Sequence, residues 1–188
     1  MFRKIFQRIY FIIIQPAKEW RKLGEEEIAH ERFLAVYFYP LLGILTLAAF
    51  VGNILSTKTI ELALKISIQE VVAFFSGFYL SVFLLKEIIN RKFTAANIKR
   101  TSCFIVYASS LIYMIAIVVS LFGEQFQVIY LLLPYTVYII WEGARAYMGI
   151  REEQQISFSI VSSLIVLIPY LIRYFIDKFM LITPHAGG

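Results

Sequence analysis

One cysteine, two histidines and a single aspartate are all that the 188 residues supply of the side chains on which much catalysis and metal binding depends. With Cys103 alone no intrachain disulfide can form, and it reads as a buried thiol. His30 and His185 stand far apart, so no His/Cys group has zinc-ligand spacing. Asp177 cannot by itself make the aspartate pair of an intramembrane aspartyl protease. A G-x-S-x-G elbow and a glycine-rich phosphate loop are both missing. The expectation is therefore no catalytic residue, no cofactor, no metal, and a protein that is not an enzyme. Charge is scarce as well. Sixteen per cent of residues are charged and 60% apolar, against about 25% and about 45 to 50% in soluble domains.

What is present is long apolar runs. The charges crowd into short blocks and leave five stretches at about 33–55, 66–89, 103–122, 126–147 and 158–179. Each is long enough to cross a hydrocarbon core of roughly 30 Å at about 1.5 Å per helical residue. The predicted fold is all-α: a polytopic membrane protein with a five-helix transmembrane bundle and an N-terminal amphipathic interfacial helix. Residues 1–32 form a cytoplasmic segment, 33–182 the membrane domain and 183–188 a flexible external tail. Lys and Arg resist translocation, so their distribution orients the chain. Seven lie before the first span, five in the loop after the second and two after the fourth, against four on the other side. This places the N-terminus in the cytoplasm and the C-terminus outside or in a lumen. The five basic residues of the main loop follow from the same bias, so no nucleic-acid partner is expected.

At the N-terminus, Phe2, Ile5, Phe6, Ile9, Ile12 and Ile13 share one helical face, and Arg3, Lys4, Gln7 and Arg8 the other. That pattern suits a helix lying on an anionic cytoplasmic leaflet, with Arg3, Lys4 and Arg8 toward the lipid; a protein groove is the alternative. Pro16 starts a second helix, which Gly24 should end, and Trp20 reads as an interfacial anchor. Glu25, Glu26 and Glu27 read as a solvated helix start, and His30 and Glu31 as surface residues. Pro40 predicts a kink in the first span and Pro134 suggests one in the fourth, while Pro169 lies further out in the fifth. Ala48 and Gly52, Gly77 and Ser81, Ala116 and Ser120, and Ser159 and Ser163 have the small-residue spacing that lets helices approach. Gly123-Glu124-Gln125 makes the third and fourth spans a tight hairpin, and Thr94 is placed to cap the helix entering the third.

Polar chemistry comes nearest the membrane in Trp141-Glu142-Gly143-Ala144-Arg145, which closes the fourth span. Glu142 and Arg145 are neighbours on a helix, able to pair with each other or with Glu152 or Glu153. They read as an interfacial ion pair flanked by the belt aromatics Trp141 and Tyr147; the functional reading is a polar contact into the bundle. Glu70, in the first turns of the second span, reads as an acid facing the outer headgroups, or, if it faces the bundle, as a proton or cation site.

Pro16-Ala17-Lys18-Glu19-Trp20, Tyr39-Pro40, Tyr107-Ala108-Ser109 and the stretch from Tyr138 to Arg145 give the chain a resemblance to the Yip1 domain family, in particular its small bacterial members. The Asp-Leu-x-Gly-Pro motif of the eukaryotic branch is absent, as is a proline after Ser109. The resemblance implies a non-enzymatic organiser or adaptor of a bacterial inner (plasma) membrane, working through lipid contacts and a membrane-protein partner or a second copy of itself. From a different class, the alternative is a small transporter or channel subunit with a pathway lined by Glu70, Glu142 and Arg145.

Overall fold

A computed structural model describes residues 2–26, 33–57, 59–93 and 97–182. Glu27, His30, Glu31, Lys58, Thr94 and the tail 183–188 lie outside the described residues. The described chain is helical, without a strand. Two N-terminal helices, α1 (Phe2–Ile14) and α2 (Pro16–Glu25), precede α3 (Tyr39–Thr57) and the long α4 (Ile60–Lys92). Then come α5 (Thr101–Ala108), α6 (Ser110–Phe122), α7 (Tyr135–Ala146), α8 (Glu152–Val166) and α9 (Ile168–Ile182).

Four helical stretches are long and apolar enough to cross a membrane: Leu34–Ser56, Ile60–Lys92, Gln125–Ala146 and Glu152–Phe179. The bent pair α5 and α6 makes a fifth if counted as one span. Their outward faces are mainly apolar. Along α4, Ile60, Leu64, Ile68, Val72, Tyr79 and Phe83 are all exposed, a stripe at helical spacing that spans roughly 35 Å. A water-soluble protein would have buried or charged such a face. The inward faces meet around Phe38, Phe74, Phe104, Phe158 and Tyr113, all almost fully buried.

The spans depart from uniform helix where the sequence gives cause. Pro40 has no amide hydrogen and its ring crowds the carbonyl four residues back. Leu34–Phe38 is accordingly a π-turn, and the Tyr39 amide reaches five residues back to Leu34. Pro169 frees the Ile165 carbonyl in the same way, and the Ser81 hydroxyl of α4 donates to it at 2.9 Å. Gly77, one turn earlier on α4, lets Pro169 sit close: a Cβ there would meet its Cγ at 2.7 Å. Gly52 does the same for α3 against α6, where a Cβ would strike the Ser120 carbonyl group. The third span, expected unbroken over 103–122, bends by 41° at Ser109. The fourth was expected as helix over 126–147 with Pro134 in its outer half. Gly123–Leu132 is instead wound as 3-10 helix, ahead of the break at Pro134. The last span begins at Glu152, earlier than the expected 158, and breaks at Leu167.

Candidate functional site

Two polar regions lie at opposite ends of the bundle. The first is built around Trp20. Proline at its first position starts α2, whose buried residues Trp20 and Leu23 face α7. Trp20 is fully enclosed, in contrast to the headgroup position expected of an interfacial anchor. Its indole N–H donates to the Ile139 carbonyl at 2.8 Å. Its ring lies 5.2 to 6.0 Å from those of Phe104, Tyr107 and Tyr147. The seat exists because position 143 is glycine: a Cβ would meet the indole at 2.6 Å and Phe104 at 2.9 Å. A buried tryptophan satisfies its single donor in this way and contributes a large apolar contact.

Further contacts hold the two N-terminal helices in place. On α1, Ile5, Ile9 and Ile12 are buried against the bundle, leaving Phe6, Tyr10 and Ile14 exposed. Arg3 is exposed, and the side chain of Lys4 lies outside the described ones. Arg8, expected to face lipid, is half-buried and pairs with both oxygens of Glu26 through Nη2, at 2.6 and 2.9 Å. Burial works against its charge, but Tyr107 and the Glu26 carboxylate outweigh that effect and raise its pKa above the ordinary value. The Tyr135 hydroxyl donates to the Ile13 carbonyl at 2.8 Å. Gly24 does not end α2, which runs on to Glu25. Its carbonyl accepts from Arg100 Nη2 at 2.9 Å, while Arg100 Nη1 reaches the Tyr147 carbonyl at 3.3 Å. Arg100 thus bridges the C-terminal ends of α2 and α7, where helix carbonyls lack partners and the dipole favours a cation. The sequence marked it only as part of a basic loop.

Trp141-Glu142-Gly143-Ala144-Arg145 lies at this end. Arg145 pairs across the loop with Glu152 at 3.4 Å, and both side chains are more than two-thirds exposed. Glu142 is partly exposed and no ion pair to Arg145 forms. Trp141 points outward, whereas Tyr147 is buried beneath the Arg100 guanidinium, 5.1 Å from its ring centre. On the outer side of α1 and α2 is an open groove of about 520 Å³ whose lining includes Phe11, Gln15, Lys18, Arg21 and Lys22.

The second region opens at the other end. A cavity of about 730 Å³ lies among the ends of α3, α4, α6 and α9 and the 3-10 segment. Arg173 and Asp177 of α9 line it, with Asn53, Gln69, Gln127 and Tyr130. Glu70 stands behind Arg173, 1% exposed and paired with it. The headgroup-facing reading of Glu70 therefore differs from its position, which is inside the bundle. Arg173 Nε is also 3.9 Å from Asp177. Helical spacing puts Arg173 and Asp177 on one face of α9, but the sequence held no signal that this face would meet Glu70 a hundred residues earlier.

Glu70 and the pair Glu142 and Arg145 are not brought together. Phe38, Phe74, Phe78 and Tyr113 form a buried aromatic cluster inside the bundle. Among the described residues no group of His, Cys, Asp and Glu could hold a metal ion. Cys103 is free and buried. A family model described as the Yip1 domain matches residues 10–173. No curated protein and no solved structure matches.

Proposed function

Since the chain belongs to the Yip1 domain family and is a multi-pass integral membrane protein, we propose that it is a non-enzymatic membrane organiser or adaptor. It works through protein and lipid contacts on the platform made by α1 and α2. The observation that carries this reading is the seating of Trp20 against Gly143. It holds two amphipathic helices on the bundle, with Lys18, Arg21 and Lys22 lining the groove beside Glu19 and Glu25, a net excess of one positive charge. A surface ordered in advance loses little entropy when it binds. Lys and Arg counts place the platform on the cytoplasmic side, facing anionic lipid, with each basic residue contributing about 1 kcal/mol near such a surface. The C-terminus is then external or luminal, and the membrane a bacterial inner membrane.

A transporter pathway through Glu70, Glu142 and Arg145 has less support, because Glu70 is enclosed with Arg173 while Arg145 pairs with Glu152 at an exposed loop. The reading is tested by isolating the protein in native lipid patches and identifying what accompanies it by mass spectrometry. Replacing Lys18, Arg21 and Lys22 together with glutamate should strip a protein partner or anionic lipid while leaving the bundle's unfolding midpoint unchanged. Unaltered co-purification with the triple variant would sink the platform model.

A further inference from the structure

We propose that the cavity between the ends of α3, α4, α6 and α9 binds a zwitterion that joins a phosphate to a primary ammonium, the chemistry of an ethanolamine phospholipid headgroup. This goes beyond the platform reading and does not depend on it, since the cavity is at the opposite end of the bundle.

The volume is the first support. About 730 Å³ falls within the roughly 300 to 1,000 Å³ typical of small-molecule sites. The charges are the second. Glu70 is enclosed and engages one end of the Arg173 guanidinium, through Nη1. A guanidinium carries five N–H donors, so this pairing leaves others for the cavity side. Asp177 stands 3.9 Å from Arg173 Nε and is half-exposed, too far for a hydrogen bond, so its oxygens remain open to a donor. A simple anion would meet two carboxylates here, and a simple cation would meet the guanidinium. A ligand carrying both charges satisfies both, its phosphate at Arg173 and its ammonium at Asp177. Gln127 adds a neutral amide to the wall.

The position is the third. The cavity is bordered by Leu55 at the end of α3, 70% exposed, and Phe122 at the end of α6, 56% exposed. Acyl chains leaving a seated headgroup would run along that outward apolar surface. A membrane lipid is thus the source the rim fits, and a free phosphate-ammonium compound is the other source of the same chemistry.

The full-length protein in nanodiscs of equal phosphatidylethanolamine and phosphatidylcholine should, on transfer to detergent and native mass spectrometry, retain the ethanolamine lipid in preference. Only that headgroup has N–H donors for Asp177. Asp177→Asn should weaken retention about tenfold, the effect of losing one charge-assisted contact, and leaves Glu70 to hold Arg173. Gln127→Trp, at an exposed wall, should block retention by filling the cavity and is unlike Asp177→Asn in leaving the charges intact. Excess free phosphoethanolamine that displaces the lipid would assign the site to the headgroup alone; failure to displace it, with the preference intact, would assign it to the whole lipid. Equal retention of the two lipids, or an Asp177→Asn protein with an unchanged preference, would each overturn the proposal.

Discussion

Gly143 decides more than its size suggests. It was legible only as part of a polar-aromatic run ending the fourth span, because nothing in the run itself says that a tryptophan 123 positions earlier lands on it. The structure makes it the seat of Trp20. Gly143→Val should therefore lower unfolding stability by about 1 to 3 kcal/mol, the range for overpacking a core. Because the chain has two tryptophans, a Trp141→Phe background isolates the Trp20 signal. In that background Gly143→Val should red-shift its fluorescence and expose it to iodide, and unchanged emission would mean that the indole is seated elsewhere. Arg145 was more readable. Its place allowed a pair with Glu142 in its own helix or with Glu152 or Glu153 across the loop, and the helix end turns it toward Glu152. Surface pairs of this kind contribute little, so the neighbouring glycine, not the charges, makes this stretch matter. Ser81 was marked with Gly77 as a place where helices approach, but Arg173 was silent in the sequence, since its role depends on which helices meet.

Among the elements, hydrophobic periodicity revealed α1 and the start of α2 at Pro16, and run length revealed the spans. Periodicity measures how apolar a face is but not what covers it. The isoleucine face of α1 suits a lipid surface, and the fold covers Ile5, Ile9 and Ile12 with protein. The breaks were partly readable. Pro40 marked the π-turn before it, whereas the interruption near Pro169 was not read and the bend at Ser109 has no proline to announce it. The hairpin of α1 and α2 is fastened by Arg8 and Glu26. With both side chains about a quarter exposed, their coupling in a double-mutant cycle should come to about 0.5 to 1 kcal/mol. Hydrogen exchange read over the amides of α2 should speed up in Arg8→Ala and no further in the double variant. Strictly additive acceleration would show that the two do not act as a unit.

At the scale of the molecule, composition alone identified an all-α membrane protein, because no soluble domain leaves such long uncharged runs. How many segments cross rests on whether α5 and α6 act as one bent span. Five crossings from a cytoplasmic N-terminus should make an alkaline phosphatase fused after Gly188 active, and a fluorescent reporter that matures only in the cytoplasm dark. The reverse pattern would require an even number of crossings or the opposite orientation. Internal packing was the part least open to sequence reasoning, since the Glu70 and Arg173 pair and the buried aromatic cluster form between segments that share no local pattern.

The seat of Trp20 also sets a schedule for synthesis. Its hydrogen-bond acceptor, Ile139, is 119 residues further along the chain. At about 5 to 20 residues per second, the ribosome needs roughly 6 to 24 seconds to make them. Throughout that interval the two basic helices exist without their dock, while the first three spans are being inserted. A chain stalled before Ile139 should therefore present α1 and α2 undocked to the bilayer or to a chaperone, and release past Tyr147 should withdraw them. The last turn of the fourth span is, in this sense, a clock for the first twenty-five residues.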